Sequence, residues 1–175
     1  ADAPESPEFE NVNGVKVWRS YAGTPQARDF LTWVMQLNFA MLQRAFQLWA
    51  SGERYEIIHV HDWLGAYTGK VLKHAWHLPL LSTIHATEWG RNNGLHNDLQ
   101  RYISDVEWWL AYESWQVICC SQYMRSELMQ VFQIPGDKLS VIPNGVYPEA
   151  FRSGPAPEEL RWRFAAPDEK VIFHV

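Results

Sequence analysis

The sequence predicts an α/β fold: a doubly wound parallel sheet covered by helices on both sides. Segments with the short apolar pattern of buried strands alternate along the chain with segments of helical periodicity. The strand segments are apolar on both faces, which is typical of strands buried between two layers. Of the 175 residues 47% are hydrophobic, which is enough for one sizeable core.

The first fifty residues predict a turn between extended segments, followed by a long helix. Asn13 and Gly14 form a turn signal and β-branched residues alternate after it, so we expect a strand or a hairpin. From Ala27 to Ala50 apolar residues recur at helical spacing, and Ser51 with Gly52 ends the pattern.

Two strand and helix units come next. YEIIHVH, residues 55–61, is typical of a short buried strand, and helical spacing returns from Trp63 to His77. PLLSTIH, residues 79–85, is a second strand of the same kind, and residues 88–98 predict a polar loop. A long helix follows. Its predicted inward stripe consists of Leu99, Tyr102, Ile103, Val106, Trp109 and Leu110.

The remaining segments complete the predicted sheet. QVICC, residues 116–120, is the third strand, and Ser121 is placed to cap a helix that runs to about Phe132. KLSVIPNG, residues 138–145, is the fourth strand. The predicted elements therefore alternate as a parallel α/β sheet requires.

The chain is expected to contain part of one domain and the beginning of another. Residues 1–150 form the first, residues 151–168 are a Pro-rich linker, and residues 169–175 are the first strand of a further domain. The sequence starts without Met and stops inside an apolar run, so we expect a fragment of a longer protein.

Composition excludes several classes of partner. The net charge is −5 and no cluster of Lys and Arg stands out, which argues against nucleic acid and anionic membranes. We expect no membrane span, because no apolar run approaches the roughly 18 residues that one needs. Cys119 and Cys120 are adjacent, where a mutual disulfide would be strained, so we expect reduced core residues of a cytoplasmic protein.

Polar side chains follow each predicted strand. Asp62 follows the first strand and His85 the second; Ser121 comes after the third, and Asn144 with Gly145 ends the fourth. Ligands of open α/β sheets bind beyond the carboxyl ends of the strands, so these residues indicate a site. Turn chemistry alone explains Ser121 and Asn144 taken singly. Histidine is not a turn former, and we therefore favour a functional role for His85.

His59 and His61 have two possible interpretations, a metal site or a structural role. A period of two places His59 and His61 on one face of the strand, the geometry of a metal pair. No Cys or further His lies at ligand spacing, so a zinc site is the minor alternative and we expect no metal. We expect His59 to be a core imidazole that donates to a backbone carbonyl, and His61 to shape the pocket floor. Glu107 is either a solvated helix charge or a residue that reaches a neighbouring element.

The motifs HVHDW, STIHATEWG, VICCS and VIPNGV, in this order, resemble the acceptor-side domain of the family-four glycosyltransferases. The branch of glycogen and starch synthases is the most similar, and the resemblance runs from about Tyr55 to Phe151. It implies one Rossmann-like half of a GT-B enzyme, in which two such domains face each other across a cleft. It also implies transfer of a sugar from a nucleotide-sugar to an acceptor hydroxyl, with retention at the anomeric carbon.

The resemblance further implies roles for single residues. His85 corresponds to the histidine at the reacting sugar and Asp62 to the aspartate beside the acceptor, and these two are the expected catalytic residues. Glu107 matches the helix glutamate of the family. The residues expected to bind substrate are His61, Trp63, Glu88, Ser121, Asn144 and Gly145.

The sequence also departs from the family pattern. Nothing before Tyr55 resembles the Gly-rich loop that holds donor phosphates, and Trp115 and Tyr147 stand where members commonly have aspartate. The donor-binding domain of the family would begin near Glu169. We therefore expect this chain alone to be inactive and to self-associate through an unpaired final strand.

The leading hypothesis is a parent enzyme that transfers glucose from ADP- or UDP-glucose to an α-glucan. The nucleotide-sugar is then a substrate, no cofactor is expected, and the partners are the donor, the glucan and the C-terminal domain of the same chain. One alternative keeps the chemistry and changes the acceptor to a lipid, a small sugar or a sugar phosphate. Another is a sugar-binding module without catalysis.

Overall fold

The structure is a computed structural model that describes residues 6–21, 27–151 and 161–172. The chain forms two units, Ala1–Pro143 and Asn144–Val175. The strands of the first unit are β1 Phe9–Val12, β2 Val15–Trp18, β3 Ile58–His61, β4 Leu80–Ile84, β5 Gln116–Cys119 and β6 Leu139–Val141. Its α-helices are α1 Phe30–Ala50, α2 Ala66–Trp76, α3 Glu88–Asn92, α4 Asp98–Glu113 and α5 Gln122–Val131, and 3₁₀ turns cover Trp63–Gly65 and Gly136–Lys138.

The main sheet has four parallel strands in the order β3-β4-β5-β6. Its register pairs His61 with Thr83 and Ile84 with Cys119, so the carboxyl ends of these strands lie along one edge. The predicted α/β class with a parallel sheet is confirmed. Strand order follows chain order, and because crossovers between parallel strands are right-handed, successive connections fall on the same face.

Helices α2, α4 and α5 pack against one face of this sheet, and α1 packs against α2 and the Trp63–Gly65 turn. The sheet residues of the core share that face, and they are Val60, Leu80, Ile84, Val117, Cys119 and Leu139. The opposite face carries His59, His61, Leu81, Thr83 and Ile118. A second helical layer, which the doubly wound arrangement has, is not among the residues that the structure describes.

The N-terminal hairpin is separate from this sheet. Strands β1 and β2 pair antiparallel, with Val12 opposite Val15. The two turn residues, Asn13 and Gly14, have φ of 52° and 88°. Positive φ at both positions is what a tight hairpin turn requires, and Asn-Gly adopts it at little cost. The hairpin reading of the sequence is confirmed.

Helix α1 is fastened to α2 by a buried amide. Asp29 begins α1, because its side chain accepts the Thr32 backbone N–H at 2.8 Å. Asn38 then donates from Nδ2 to the Leu64 carbonyl at 2.7 Å, and its Oδ1 accepts the Thr68 backbone N–H at 2.9 Å. In α2, a Cβ atom on Gly69 would lie 2.5 Å from a Val60 methyl, so this glycine permits close packing of the helix on β3.

Two predicted elements differ in the structure. The polar loop predicted over residues 88–98 contains α3, which Thr87 begins by accepting the Gly90 backbone N–H at 2.9 Å. Leu99, predicted to face inward, is 46% exposed, because it lies in the first turn of α4 next to solvent. Among the described helices, none has the length and apolar character needed to cross a membrane.

The second unit is short. Pro148–Phe151 is a 3₁₀ turn, and Arg161 with Trp162 is helical, so part of the predicted linker is folded. The Arg161 guanidinium donates to the Glu169 carbonyl at 2.6 Å. Residues 169–172 were predicted to be strand and form none, and Ile172 is 93% exposed. Residues 173–175 of that predicted strand lie outside the described residues.

Candidate functional site

The two predicted catalytic residues are in contact at the carboxyl edge of the sheet. Asp62 follows β3 and His85 follows β4, and Asp62 Oδ1 accepts the His85 backbone N–H at 2.9 Å. The Asp62 backbone N–H in turn donates to the Thr83 carbonyl at 2.9 Å. The expected proximity of Asp62 and His85 is confirmed, because β3 and β4 are neighbours. The roles of the two residues stay predictions.

Asp62 adopts a conformation that side chains rarely take. Its φ is 54° and its ψ is −179°, close to a region that is essentially restricted to glycine. Such a conformation costs roughly 1–3 kcal/mol and persists only where neighbouring contacts enforce it. The two hydrogen bonds to β4 and His85 supply that restraint and aim the carboxylate at the end of β4.

The imidazole of His85 has a partner at each ring nitrogen. His61 Nδ1 lies 3.1 Å from His85 Nε2, and the two rings stack with centroids 5.5 Å apart. Cys120 Sγ lies 3.4 Å from His85 Nδ1. One arrangement satisfies all three groups: the Cys120 thiol donates to Nδ1, and the His85 Nε2–H donates to His61. The orientation of the His85 ring is thereby fixed.

Cys120 and His59 differ from their predicted roles. Cys120 was predicted to be a core residue, yet it contacts His85 at the strand edge; its position one residue before Ser121 was the available signal. His59 was expected to donate to a backbone carbonyl inside the core. It instead lies on the sheet face opposite the core, with Nε2 2.8 Å from the Thr83 hydroxyl. Partial burial lowers the pKa of His59, and His61 and His85 add to this effect.

Glu107 reaches a neighbouring element, which answers the question that its periodicity left open. The side chain is 2% exposed, and its two carboxylate oxygens accept the Glu88 backbone N–H at 3.0 and 2.9 Å. Burial raises the pKa of Glu107 to about 7; the Glu88 N–H and Arg91 oppose the rise, while the charges of Glu88 and Asp62 add to it.

The other predicted substrate-binding residues have different surroundings. Ser121 caps α5 as predicted, because its hydroxyl accepts the Met124 backbone N–H at 3.1 Å. Glu88 is the first residue of α3, and its Oε1 accepts from the Asn92 side chain at 2.9 Å. His61 and Ser121 are exposed at the same edge as His85.

Trp63 does not fit the role of a substrate contact. Its side chain is 4% exposed and belongs to the core cluster, with its ring edge-on to Phe30 at a centroid distance of 5.8 Å. Burial in the core leaves no ring face for a ligand, so its contribution is core packing. Asn144 and Gly145 belong to the second unit, and their binding role stays a prediction.

The cluster combines the Asp62 carboxylate, the imidazoles of His61 and His85 and the exposed Ser121 hydroxyl along one open edge. A carboxylate and an imidazole accept hydrogen bonds from ligand hydroxyls, and a carboxylate stabilises nearby positive charge. Within the part of the chain that the structure describes, no group of three or more His, Cys, Asp or Glu residues is arranged to hold a metal ion.

Comparison with known proteins gives matches over most of the chain. The model of Glycosyltransferase Family 4 matches residues 2–150. An uncharacterized glycosyltransferase of Methanocaldococcus jannaschii is 37% identical over 173 residues, which are 97% of this chain and 43% of that protein. A glycogen synthase of Mycobacterium tuberculosis is 34% identical over 143 residues, 79% of this chain and 32% of that protein. This chain therefore spans less than half the length of these relatives.

A solved structure is similar in fold. A chain of sucrose-phosphate synthase from Thermosynechococcus elongatus superposes with a TM-score of 0.56 at 21% identity, over 85% of this chain and 74% of that one. The parallel sheet and its crossover helices thus have the architecture of one Rossmann-like half of a GT-B protein.

Proposed function

Since this chain belongs to glycosyltransferase family 4, we propose that the full-length protein transfers glucose from a nucleotide-glucose to an α-glucan. The transfer retains the configuration at the anomeric carbon. The nucleotide-sugar, ADP- or UDP-glucose, is consumed as a substrate rather than held as a cofactor. The glycogen synthase relative, 34% identical over 79% of this chain, supports the choice of an α-glucan acceptor.

The contact between Asp62 and His85 carries the proposal. Both residues lie beyond the carboxyl ends of adjacent parallel strands, where open α/β sheets bind their ligands. Retaining transfer passes through a state that resembles an oxocarbenium ion, so it needs neutral or negative groups near the developing positive charge. A carboxylate and an imidazole meet that need.

Each of the two residues has a step to perform. The Asp62 carboxylate accepts a hydrogen bond from the acceptor hydroxyl and orients that oxygen towards the anomeric carbon. His85 exchanges the contact of its Nε2 with His61 for a hydrogen bond to a hydroxyl of the transferred sugar, and this bond fixes the sugar relative to the acceptor. Because Asp62 also holds the His85 backbone N–H, the two groups keep one relative position during the reaction.

The rest of the full-length protein completes the site in this proposal. This chain covers 43% and 32% of the length of the two relatives described above. The residues that bind the donor belong to the part of the protein outside this chain. Residues 86–98 follow His85 directly and set the choice of acceptor.

An acceptor panel tests the proposal. The full-length protein is incubated with UDP-glucose or ADP-glucose together with glycogen, a short malto-oligosaccharide or a sugar phosphate. We expect transfer to the two glucans, and α-linked product by nuclear magnetic resonance. Transfer to the sugar phosphate alone would show that the acceptor is wrong, and an inverted product would exclude the mechanism.

The His85→Ala variant tests the site itself. Its turnover should fall by on the order of 100-fold with little change in thermal unfolding, because the imidazole acts in the transition state. His74→Ala is the matched control, since His74 is an exposed histidine of α2. Near-normal turnover of His85→Ala would reduce His85 to a packing residue.

A further inference from the structure

Two glutamates hold the first turn of α3, and each comes from a different helix. Glu107 of α4 accepts the Glu88 backbone N–H with both carboxylate oxygens, at 3.0 and 2.9 Å. Glu127 of α5 accepts the hydroxyl of Thr87. The turn that joins β4 to α3 is therefore fixed by two helices that follow it in the sequence.

Both carboxylates lie in the interior. Glu107 is 2% exposed and Glu127 is 8% exposed. Burying a carboxylate is costly unless it is paired, and within the described residues neither forms a salt bridge with Lys or Arg. An apolar side chain of similar size would avoid this cost, so core packing alone does not account for two carboxylates here.

Gly90 makes room for Glu127. A Cβ atom at Gly90 would lie 2.7 and 2.8 Å from the two carboxylate oxygens of Glu127, which is closer than such atoms approach in proteins. The Gly90 backbone N–H also donates to the Thr87 hydroxyl oxygen at 2.9 Å. Thr87, Gly90 and Glu127 consequently form one interlocked unit.

The fixed turn begins at the candidate site. Asp62 accepts the backbone N–H of His85, and Glu107 accepts the backbone N–H of Glu88. The segment from His85 to Glu88 is therefore held at both ends. We propose that Glu107 and Glu127 are positioning residues, which hold His85 and α3 in place for the reaction without touching the substrate.

The kinetic test uses the full-length protein and rests on the proposed function. Glu107→Ala removes the acceptor of the Glu88 N–H and should lower kcat by roughly 10- to 100-fold, because small displacements at a reacting centre are that costly. Glu107→Gln should recover most of the loss, since its amide oxygen still accepts. Gly90→Ala should also lower kcat, because it displaces Glu127.

Asp105→Ala is the matched control, since Asp105 is an exposed carboxylate on the same helix. Its kcat should equal that of the wild type. If folded Glu107→Ala and Gly90→Ala both keep the wild-type kcat, the positioning role is wrong. Should Glu107→Ala fail to fold, the kcat of Gly90→Ala decides: a lowered kcat supports the positioning role, and a wild-type kcat contradicts it.

Amide hydrogen exchange gives a readout that needs no substrate. We expect residues 85–92 to exchange faster in Glu107→Ala than in the wild type or in Asp105→Ala. Unchanged exchange in this segment would overturn the inference. If exchange rises as expected while the wild type transfers nothing to glucans, the acceptor proposal fails and the positioning role stands.

Discussion

Asp62 has an unfavourable backbone conformation, and its side chain is one of the two proposed to act in the transfer. The φ of 54° would suit glycine, and a carboxylate occupies the position instead. Backbone strain of this kind often accompanies functional sites, where surrounding contacts maintain it. In this conformation Asp62 Oδ1 accepts the His85 backbone N–H.

Comparison of Asp62→Ala with Asp62→Gly measures this strain. Both variants lose the carboxylate, and only glycine relieves the backbone. We expect Asp62→Gly to have the higher free energy of unfolding, by about 1 kcal/mol, and both variants to lose transfer activity. Urea unfolding and turnover assays check this. An alanine variant as stable as the glycine variant would show that the backbone is unstrained.

Glu107 predicts a pH dependence of stability. Burial raises its pKa in the folded protein from the usual 4.5 to about 7. Below pH 4.5 both states are protonated and the group has no effect. As pH rises towards 7, the unfolded state loses its proton first, so stability falls by a few kcal/mol and then stays lower.

Glu107→Gln removes this titration and keeps an acceptor for the Glu88 N–H. We therefore expect the variant to gain stability relative to the wild type between pH 5 and pH 8. Urea unfolding at the two pH values measures the difference, and Asp105→Asn is the control. A gain that is the same at both pH values would contradict the raised pKa.

Single residues show what the sequence could predict of the site. Parallel strands end along one edge, so the meeting of Asp62 with His85 follows from their positions after consecutive strands. The contact of Cys120 with His85 depends on side-chain directions at two strand ends, which periodicity does not specify. Glu107 was ambiguous, because its helical position does not indicate that α3 would bring a backbone N–H to it.

At the scale of elements, a buried amide of α1 specifies how this helix meets α2. Asn38 is 2% exposed and bonds the Leu64 carbonyl and the Thr68 backbone N–H. Its position in an apolar helix gave no sign of this role. A polar residue in such a place specifies how two helices meet, since only one register satisfies its hydrogen bonds.

Asn38→Ala should lower the free energy of unfolding by about 2 to 4 kcal/mol, because it leaves buried polar groups unpaired and creates a cavity. Gln43→Ala is the control, since Gln43 is an exposed amide on α1. Chemical denaturation measures both. A loss below about 0.5 kcal/mol for Asn38→Ala, the range of ordinary surface changes, would mean that water replaces the amide.

The start of a helix could be predicted from the sequence where its capping residue was recognised. Ser121 was read correctly as the cap of α5, and Asp29 is a cap of the same type at the start of α1. The helix was nevertheless predicted to start at Ala27, because its apolar spacing hides the cap. Helix α3 was missed because five mostly polar residues have no periodicity, and its stability comes from Thr87 and the two buried glutamates.

For the whole molecule, the sequence predicted the α/β class but not the distribution of helices. Periodicity identifies strands and helices, and it does not state their spatial order. The strand order β3-β4-β5-β6 is what places the connecting helices α2, α4 and α5 on one face. The alternation of histidine with apolar residues in β3 was a sign that its two faces differ.

The 175-residue chain by itself should transfer no glucose from ADP- or UDP-glucose, because it covers less than half of its relatives. The full-length protein is the positive control in the same radiolabel assay. Transfer by the short chain at a comparable rate would show that it contains a complete donor site. Its expected self-association stays a prediction, which light scattering tests.

The sequential strand order also bears on how the protein acquires its structure. Among the described strands of the main sheet, β4, β5 and β6 each pair with the strand that precedes them in the sequence. Neighbouring strands are therefore closer in sequence than they would be in an order that reverses direction, and the loops that must close are shorter. We expect the sheet to grow strand by strand as the chain leaves the ribosome, with β3 as its first template.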